Sequence, residues 1–204
     1  MALTRLTSAL LLSGGMDSSS IAFVDRPRYA ININYGQKSA LAEKKAALAV
    51  CKLVGIELIE LDIDCSVLGS GDLKGTKALS IGSESDWWPY RNQLLITLAA
   101  AKAVELGCNE LLIGTVASDG HHKDGTEEFI RLMNDLVSYQ EGELSILAPA
   151  IDSDIVSYIK RNNVPLELLA LTHSCHKADL PCCQCRGCYK HQNTMEDLGY
   201  YDNK

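Results

Sequence analysis

Two groups of residues in this chain have the types and spacing that chemistry needs. The first is Leu10-Leu11-Leu12-Ser13-Gly14-Gly15-Met16-Asp17-Ser18-Ser19, where an apolar run enters a Ser-Gly-Gly-x-Asp-Ser turn. Adjacent glycines let the backbone approach a ligand closely, and the hydroxyls of Ser13, Ser18 and Ser19 add donors. A helix starting after the turn aims the positive end of its dipole at the same point, which makes an anion pocket. The Walker spacing GxxxxGK[ST] and its Lys are missing, so the pocket suits pyrophosphate release better than γ-phosphoryl transfer. Asp17 beside a phosphate requires Mg²⁺ or the helix N-terminus to offset its charge. The plainer alternative is a glycine turn whose Asp and Ser only cap a helix.

The second group is Cys182-x-x-Cys185-x-x-Cys188 with Cys175 seven residues upstream. Four thiolates this close can surround Zn²⁺ without closing a long loop, and a set of four protein ligands leaves no open position for water. A structural zinc is expected, with an iron–sulfur cluster as the rival occupant. Cys183 competes with Cys182 as the ligand, although the three-residue step to Cys185 favours Cys182. His173 and His176 flank Cys175 and read either as groups supporting the ligands or as exposed histidines.

The elements that must position these groups follow from periodicity. Ser8–Leu12, Tyr29–Asn34, Ile56–Asp62, Glu110–Thr115 and Leu144–Leu147 read as strands. Ser39–Leu53, Arg91–Leu106, Thr126–Tyr139 and Asp152–Asn162 read as helices, and another should begin near Cys185. Gly55 and Gly107 sit where left-handed C-terminal caps belong, and Thr126 with Glu127 and Glu128 marks a helix start. The alternation implies an α/β fold with a doubly wound, mostly parallel sheet and ligands at the carboxyl ends of its strands. With 204 residues, 47% of them apolar, a single domain is expected, residues 1–165 forming the α/β core and 166–204 a metal-binding tail. Ser66–Asp86 is a long glycine- and serine-rich loop of the kind that carries function.

Composition narrows the function. A net charge of −7 argues against a nucleic-acid-binding surface. No apolar run is long enough for a membrane span, and the N-terminal stretch reads as a buried first strand rather than a signal peptide. Five of the eight cysteines crowd the C-terminus, which favours a metal site in a reducing cytoplasm over extracellular bridges.

Three further segments fall at strand ends or helix starts. Tyr35-Gly36-Gln37 follows the second strand, where a base or ribose can be contacted or the chain simply turns. Arg91 opens a helix, opposing its dipole, which points to an anion between them or to a surface ion pair; Asn92 beside it reads as a cap or a ligand contact. The segment from Val116 to Thr126 follows the fourth strand and holds Asp119, His121, His122, Lys123 and Asp124. For its two histidines a solvated polar loop is the favoured reading.

The Ser-Gly-Gly-x-Asp-Ser loop resembles that of the PP-loop ATP pyrophosphatases. More closely, the chain resembles the 7-cyano-7-deazaguanine synthases (QueC) over nearly its whole length. The resemblance runs through Tyr35-Gly36-Gln37-Lys38, Pro89-Tyr90-Arg91-Asn92, Gly114 with the loop to Phe129, Thr172-His173-Ser174-Cys175 and the cysteine cluster. It implies ATP, Mg²⁺ and a structural Zn²⁺, with Asp17, Ser13 and Arg91 as catalytic residues. Leu12, Ser13, Gly14, Gly15, Asp17, Ser18, Ser19, Tyr35, Gln37, Lys38 and Gly114 would hold the nucleotide. Arg91, Asn92, Asp119, Asp124 and Phe129 would hold a deazaguanine acid, since a carboxylate pairs well with two adjacent N–H donors. Cys175, Cys182, Cys185 and Cys188 would hold the metal.

The implied reaction adenylates 7-carboxy-7-deazaguanine, uses ammonia to form the amide, and dehydrates that amide to the nitrile in a cytoplasmic homodimer. The pattern also departs from the family. Lys38-Ser39 replaces a basic residue and His, Ala42 stands where a Glu is usual with Glu43 next to it, and Asp152-Ser153-Asp154 replaces a region with a Lys. The Arg after the last cysteine is replaced within Tyr189-Lys190-His191. If the missing Lys touches ATP phosphates in relatives, Lys123, Lys38 or a partner chain must substitute. These departures admit two alternatives: a QueC-like enzyme of antiviral defence that joins the activated acid to an amine of a partner protein, docking through Ser66–Asp86 with Trp87 and Trp88, or an inactive nucleotide-binding scaffold.

Overall fold

The computed structural model describes residues 7–82, 84–120 and 122–201; His121 and the first six residues of the N-terminal stretch lie outside them. Five strands, β1 (Ser8–Leu11), β2 (Tyr29–Asn34), β3 (Glu57–Asp62), β4 (Glu110–Ile113) and β5 (Ser145–Leu147), form one sheet in the order β3-β2-β1-β4-β5. Every pairing is parallel, as buried strand–helix alternation requires. The helices are α1 (Met16–Asp25), α2 (Ala40–Val54), α3 (Gly71–Lys74), α4 (Arg91–Glu105), α5 (Glu127–Ser138), α6 (Ile155–Asn162), α7 (Leu166–Leu169) and α8 (Arg186–Asp197).

Successive residues of the central strands feed opposite faces of the sheet. Leu10, Ala30 and Leu112 join one buried cluster with Ile21 of α1, Val50 of α2, Ile159 of α6 and Met195 of α8. Ala9, Ile31, Leu111 and Ile113 join the other with Ile96 and Ala99 of α4 and Met133 of α5. The chain therefore leaves β1 over one face and reaches β4 from the other. That reversal opens a crevice beyond the carboxyl ends of β1 and β4, the place where doubly wound sheets bind ligands.

All five expected strands and all six expected helices are present, including the one after the glycine turn and the one near Cys185, with ends shifted by a residue or so in most cases. The helix expected from Asp152 starts only at Ile155, because the Asp154 carboxylate caps it by accepting the Ser157 N–H at 2.9 Å. The short α3 and α7 were not anticipated; each is a single turn, too brief to show a helical period. α3 lies within the Ser66–Asp86 loop, whose end packs inward. Trp88 is buried and meets the Tyr35 ring edge-on, with centroids 5.0 Å apart.

Gly14 joins β1 to α1 with φ +79°, and a Cβ there would lie 2.6 Å from the Glu43 carbonyl oxygen of α2. The loop thus lies directly against α2. Gly14→Ala combines a left-handed backbone cost with an overpacked contact, so unfolding in denaturant should show a loss of about 2–5 kcal/mol. A loss below about 0.5 kcal/mol would mean that α2 does not press on the loop.

Candidate active site

The phosphate-loop residues are held from both sides. Leu12 donates its N–H to Ile31 O at 2.8 Å and accepts the buried Asn32 amide on its own carbonyl at 2.8 Å, fixing where the strand ends. Ser13 Oγ then accepts the Gly15 N–H at 3.2 Å and lies 3.1 Å from Ser18 Oγ. Gly15 caps α1 without a side-chain acceptor, so the first-turn N–H groups remain available to an anion. Gly114, at the end of β4, packs so tightly on Ser18 that a Cβ there would come within 2.8 Å of the Ser18 Cβ.

These groups open into a cavity of about 300 Å³ lined by Leu12, Ser13, Gly15, Asp17, Ser18, Tyr35 and Gly114 of the expected nucleotide set. Arg91, Asn92, Asp119 and Asp124 of the expected substrate set line it too. Gly14, Ser19, Gln37, Lys38 and Phe129 do not. Phe129 packs against the core, and Lys38 is exposed. Gln37 is buried behind the wall, accepting the Tyr35 N–H at 2.9 Å and donating to Glu43 at 2.8 Å. It braces the turn after β2.

The carboxylates expected to read a base edge are partly occupied. Asp124 accepts the Asn92 N–H at 3.3 Å, and its carbonyl accepts the Asn92 amide at 2.9 Å, which locks its loop to the start of α4. Asp119 accepts the Val116 N–H at 3.2 Å through one oxygen and the Lys190 ammonium at 2.8 Å through the other. Lys190 also donates to Asp17 at 2.7 Å. Neither Lys123 nor Lys38 reaches the cavity; among the described residues the lysine that does is Lys190 of α8.

Burial pushes Asp17 above the usual carboxylate range; Lys190 opposes that shift and Asp119 adds to it. Asp17 Oδ1 is closed off from solvent and has no hydrogen-bond partner among the described residues. An orphaned carboxylate oxygen beside a phosphate loop fits a hard cation such as Mg²⁺. Arg91 has no carboxylate within ion-pair distance among the described residues, although it faces Tyr35, Asp124, Asp86 and Glu43. Burial pulls its pKa down, the negative groups push it up, and the net change is a rise.

Asp86 is a further charged centre that the sequence did not mark. This buried carboxylate lies 3.2 Å from His122 Nε2, 3.2 Å from His176 Nδ1 and 3.7 Å from an Arg186 nitrogen. Burial raises its pKa, but His176, His122 and Arg186 together outweigh that and hold it well below the usual range. His122, read as solvated, and His176, read either as a group supporting the cysteine ligands or as exposed, are half-buried cavity residues. Their partners arrive from distant segments, so local sequence carries no sign of the cluster.

The sulfurs of Cys175, Cys182, Cys185 and Cys188 all lie within 4.8 Å of one another. Two of the separations, Cys182 to Cys188 and Cys175 to Cys185, are 3.9 Å. A tetrahedral zinc–thiolate site has sulfur–sulfur edges of roughly 3.8 Å, so the set fits a metal ion. Cys183 stands apart, exposed and with φ +56°, which leaves Cys182 in the cluster. The tail carrying these cysteines is bonded to the phosphate loop: the His173 N–H donates to Gly14 O at 2.9 Å. It also grips α2, where Asp179 accepts the Ala42 N–H at 3.0 Å.

The family described as "Queuosine biosynthesis protein QueC" matches residues 7–199. The chain belongs to the QueC family. Among curated relatives, the 7-cyano-7-deazaguanine synthase of Aliarcobacter butzleri is 30% identical over 94% of this chain and 92% of its own length. That of Nautilia profundicola is 29% identical over 96% of each chain. The archaeal synthase of Methanocaldococcus jannaschii is 25% identical over 94% of this chain and 95% of its own. Among the described residues of this QueC-family chain, no helix is long and apolar enough to cross a membrane.

The geometry separates the adjacent cysteines. Cys182→Ser should lose most of the bound metal on mild chelation, whereas Cys183→Ser should retain it at the unaltered stoichiometry, as measured by elemental analysis. Equal loss in both variants would mean that Cys183 is a ligand.

Proposed function

We propose that this chain uses ATP to convert 7-carboxy-7-deazaguanine, through its amide, to 7-cyano-7-deazaguanine. One observation carries this reading: the serine–glycine loop and the Arg91 guanidinium face a single cavity at the sheet's switch point. The names of the relatives supply the product.

A carboxylate oxygen of the substrate attacks the α-phosphorus of ATP, and pyrophosphate departs. Ser13, Ser18 and the first-turn N–H groups of α1 are suited to hold the leaving group, since fixed donors cost no reorganisation as charge develops. Arg91 is placed to neutralise the substrate carboxylate as it approaches the α-phosphate. Ammonia then attacks the acyl carbon, AMP leaves, and a proton is released. In the second half the amide oxygen attacks the α-phosphorus of another ATP, pyrophosphate departs and one N–H proton is released to give the O-adenylated imidate; loss of AMP with the remaining N–H proton then gives the nitrile. The Asp124 oxygen not used by Asn92 is a fitting acceptor for the adjacent N–H donors of the base.

Asp17 would hold Mg²⁺, which would supply positive charge at the phosphates. The four cysteines would hold Zn²⁺, and a set of four protein thiolates would give it a structural role. The cytoplasm, where thiols stay reduced, suits such a site.

Incubation with ATP, Mg²⁺, 7-carboxy-7-deazaguanine and ammonium should yield AMP, pyrophosphate and the nitrile by mass spectrometry. AMP without nitrile would move the chain to a different acceptor, and ATP binding without turnover would make it a scaffold. Asp17→Asn and Arg91→Ala should each lower adenylation by about 10²–10³-fold, the scale of losing one preorganised charge partner, while metal content stays unchanged.

A further inference from the structure

We propose that Lys190 binds the nucleotide's phosphates and that the cysteine cluster puts it there, so that the metal site sets ATP affinity. This rests on the ATP-dependent reading above. Lys190 is the one lysine among the described residues that lines the cavity. Its ammonium has three N–H donors. Asp17 takes one at 2.7 Å and Asp119 a second at 2.8 Å. The third is left for a phosphate oxygen above the N-terminus of α1.

The placement originates in the cluster. Cys185 is the N-cap of α8 and Cys188 lies in its first turn, so two of the four sulfurs fix both the position and the rotation of this helix. The His176 N–H contacts Cys185 Sγ at 3.3 Å. At Gly187 a Cβ would lie 1.8 Å from Ser174 O, so α8 seats directly on the Cys175 segment. That same segment bonds to Gly14 of the phosphate loop through the His173 N–H. Arg186, Lys190 and Thr194, four residues apart, share the face of α8 turned to the cavity. A small rotation of the helix would withdraw Lys190 from Asp17 and Asp119 together.

The test is equilibrium binding of ATP with Mg²⁺, read by calorimetry, on unaltered protein, K190M and K190R, with metal content and circular dichroism as folding controls. K190M should bind about 10–100-fold more weakly, the scale of one charge-assisted hydrogen bond in a sheltered site, and K190R should recover most of that loss. Stripping the metal from unaltered protein should weaken binding by a similar factor. Stripping it from K190M should add little, because both changes remove the same contact. Equal affinity of K190M and unaltered protein overturns the phosphate role of Lys190. A full further loss on stripping K190M overturns its link to the cluster. If the unaltered protein binds no ATP, the functional reading fails along with this one. If K190M loses its fold, K190R and the stripped protein decide, and unchanged affinity of the stripped protein overturns the proposal.

Discussion

One ammonium between two carboxylates is the constraint around which this site is arranged. Asp17 lies in the first turn of α1, where the helix favours a negative charge but where a phosphate must also come. Asp119 adds a second negative charge from the loop after β4, and Lys190 offsets only one of the two. Counted as formal charges the trio is short of one positive charge, and Asp17, whose pKa burial raises, keeps an orphaned Oδ1. A carboxylate in that state gains from any cation brought in with the nucleotide. Under the proposed function, the negative groups at this loop would help it take up a metal–phosphate complex and would not simply oppose the ligand.

The trio also explains why the tail cannot be a passive appendage. Asp17 comes from the first crossover, Asp119 from the loop beyond β4 and Lys190 from the last helix, so the two sides of the sheet's switch point meet a third element there. The His173–Gly14 bond and the Asp179–Ala42 bond hold the tail to the loop and to α2, the same two parts that press together at Gly14. A core built only from the sheet and its helices would leave the phosphate end of the crevice with its two carboxylates and without their cation.

Much of this was legible in the sequence, for physical reasons that can be named. Central strands buried on both faces produce apolar runs of strand length, and the glycines and capping residues between them gave boundaries close to those observed. The phosphate loop and the cysteine spacing are local, so their geometry is written in a few consecutive residues. Lys190 was not legible as a site residue. It lay unremarked within the Tyr189-Lys190-His191 stretch, since the inward face of α8 is polar and leaves no apolar stripe to mark which side is buried. Asp86 was hidden because its partners His122, His176 and Arg186 are 36, 90 and 100 positions away in the chain. Gln37 failed in the other direction. It sits at a strand end, as ligand-binding residues often do, yet turns inward to bond Tyr35 and Glu43.

The two charged centres divide the cavity by chemistry. In one, Asp17, Asp119 and Lys190 meet beside the serine–glycine loop; in the other, Asp86 gathers His122, His176 and Arg186. The α8 helix supplies a cation to each, Arg186 to the second and Lys190 to the first, on one face and one turn apart. Removing a single partner from such a cluster leaves an uncompensated charge, which costs more than the pair itself contributes. The cavity's charge balance is thus shared between two centres joined by one helix. The cysteine cluster includes the N-cap of that helix, so the helix that supplies both cations begins at the four sulfurs.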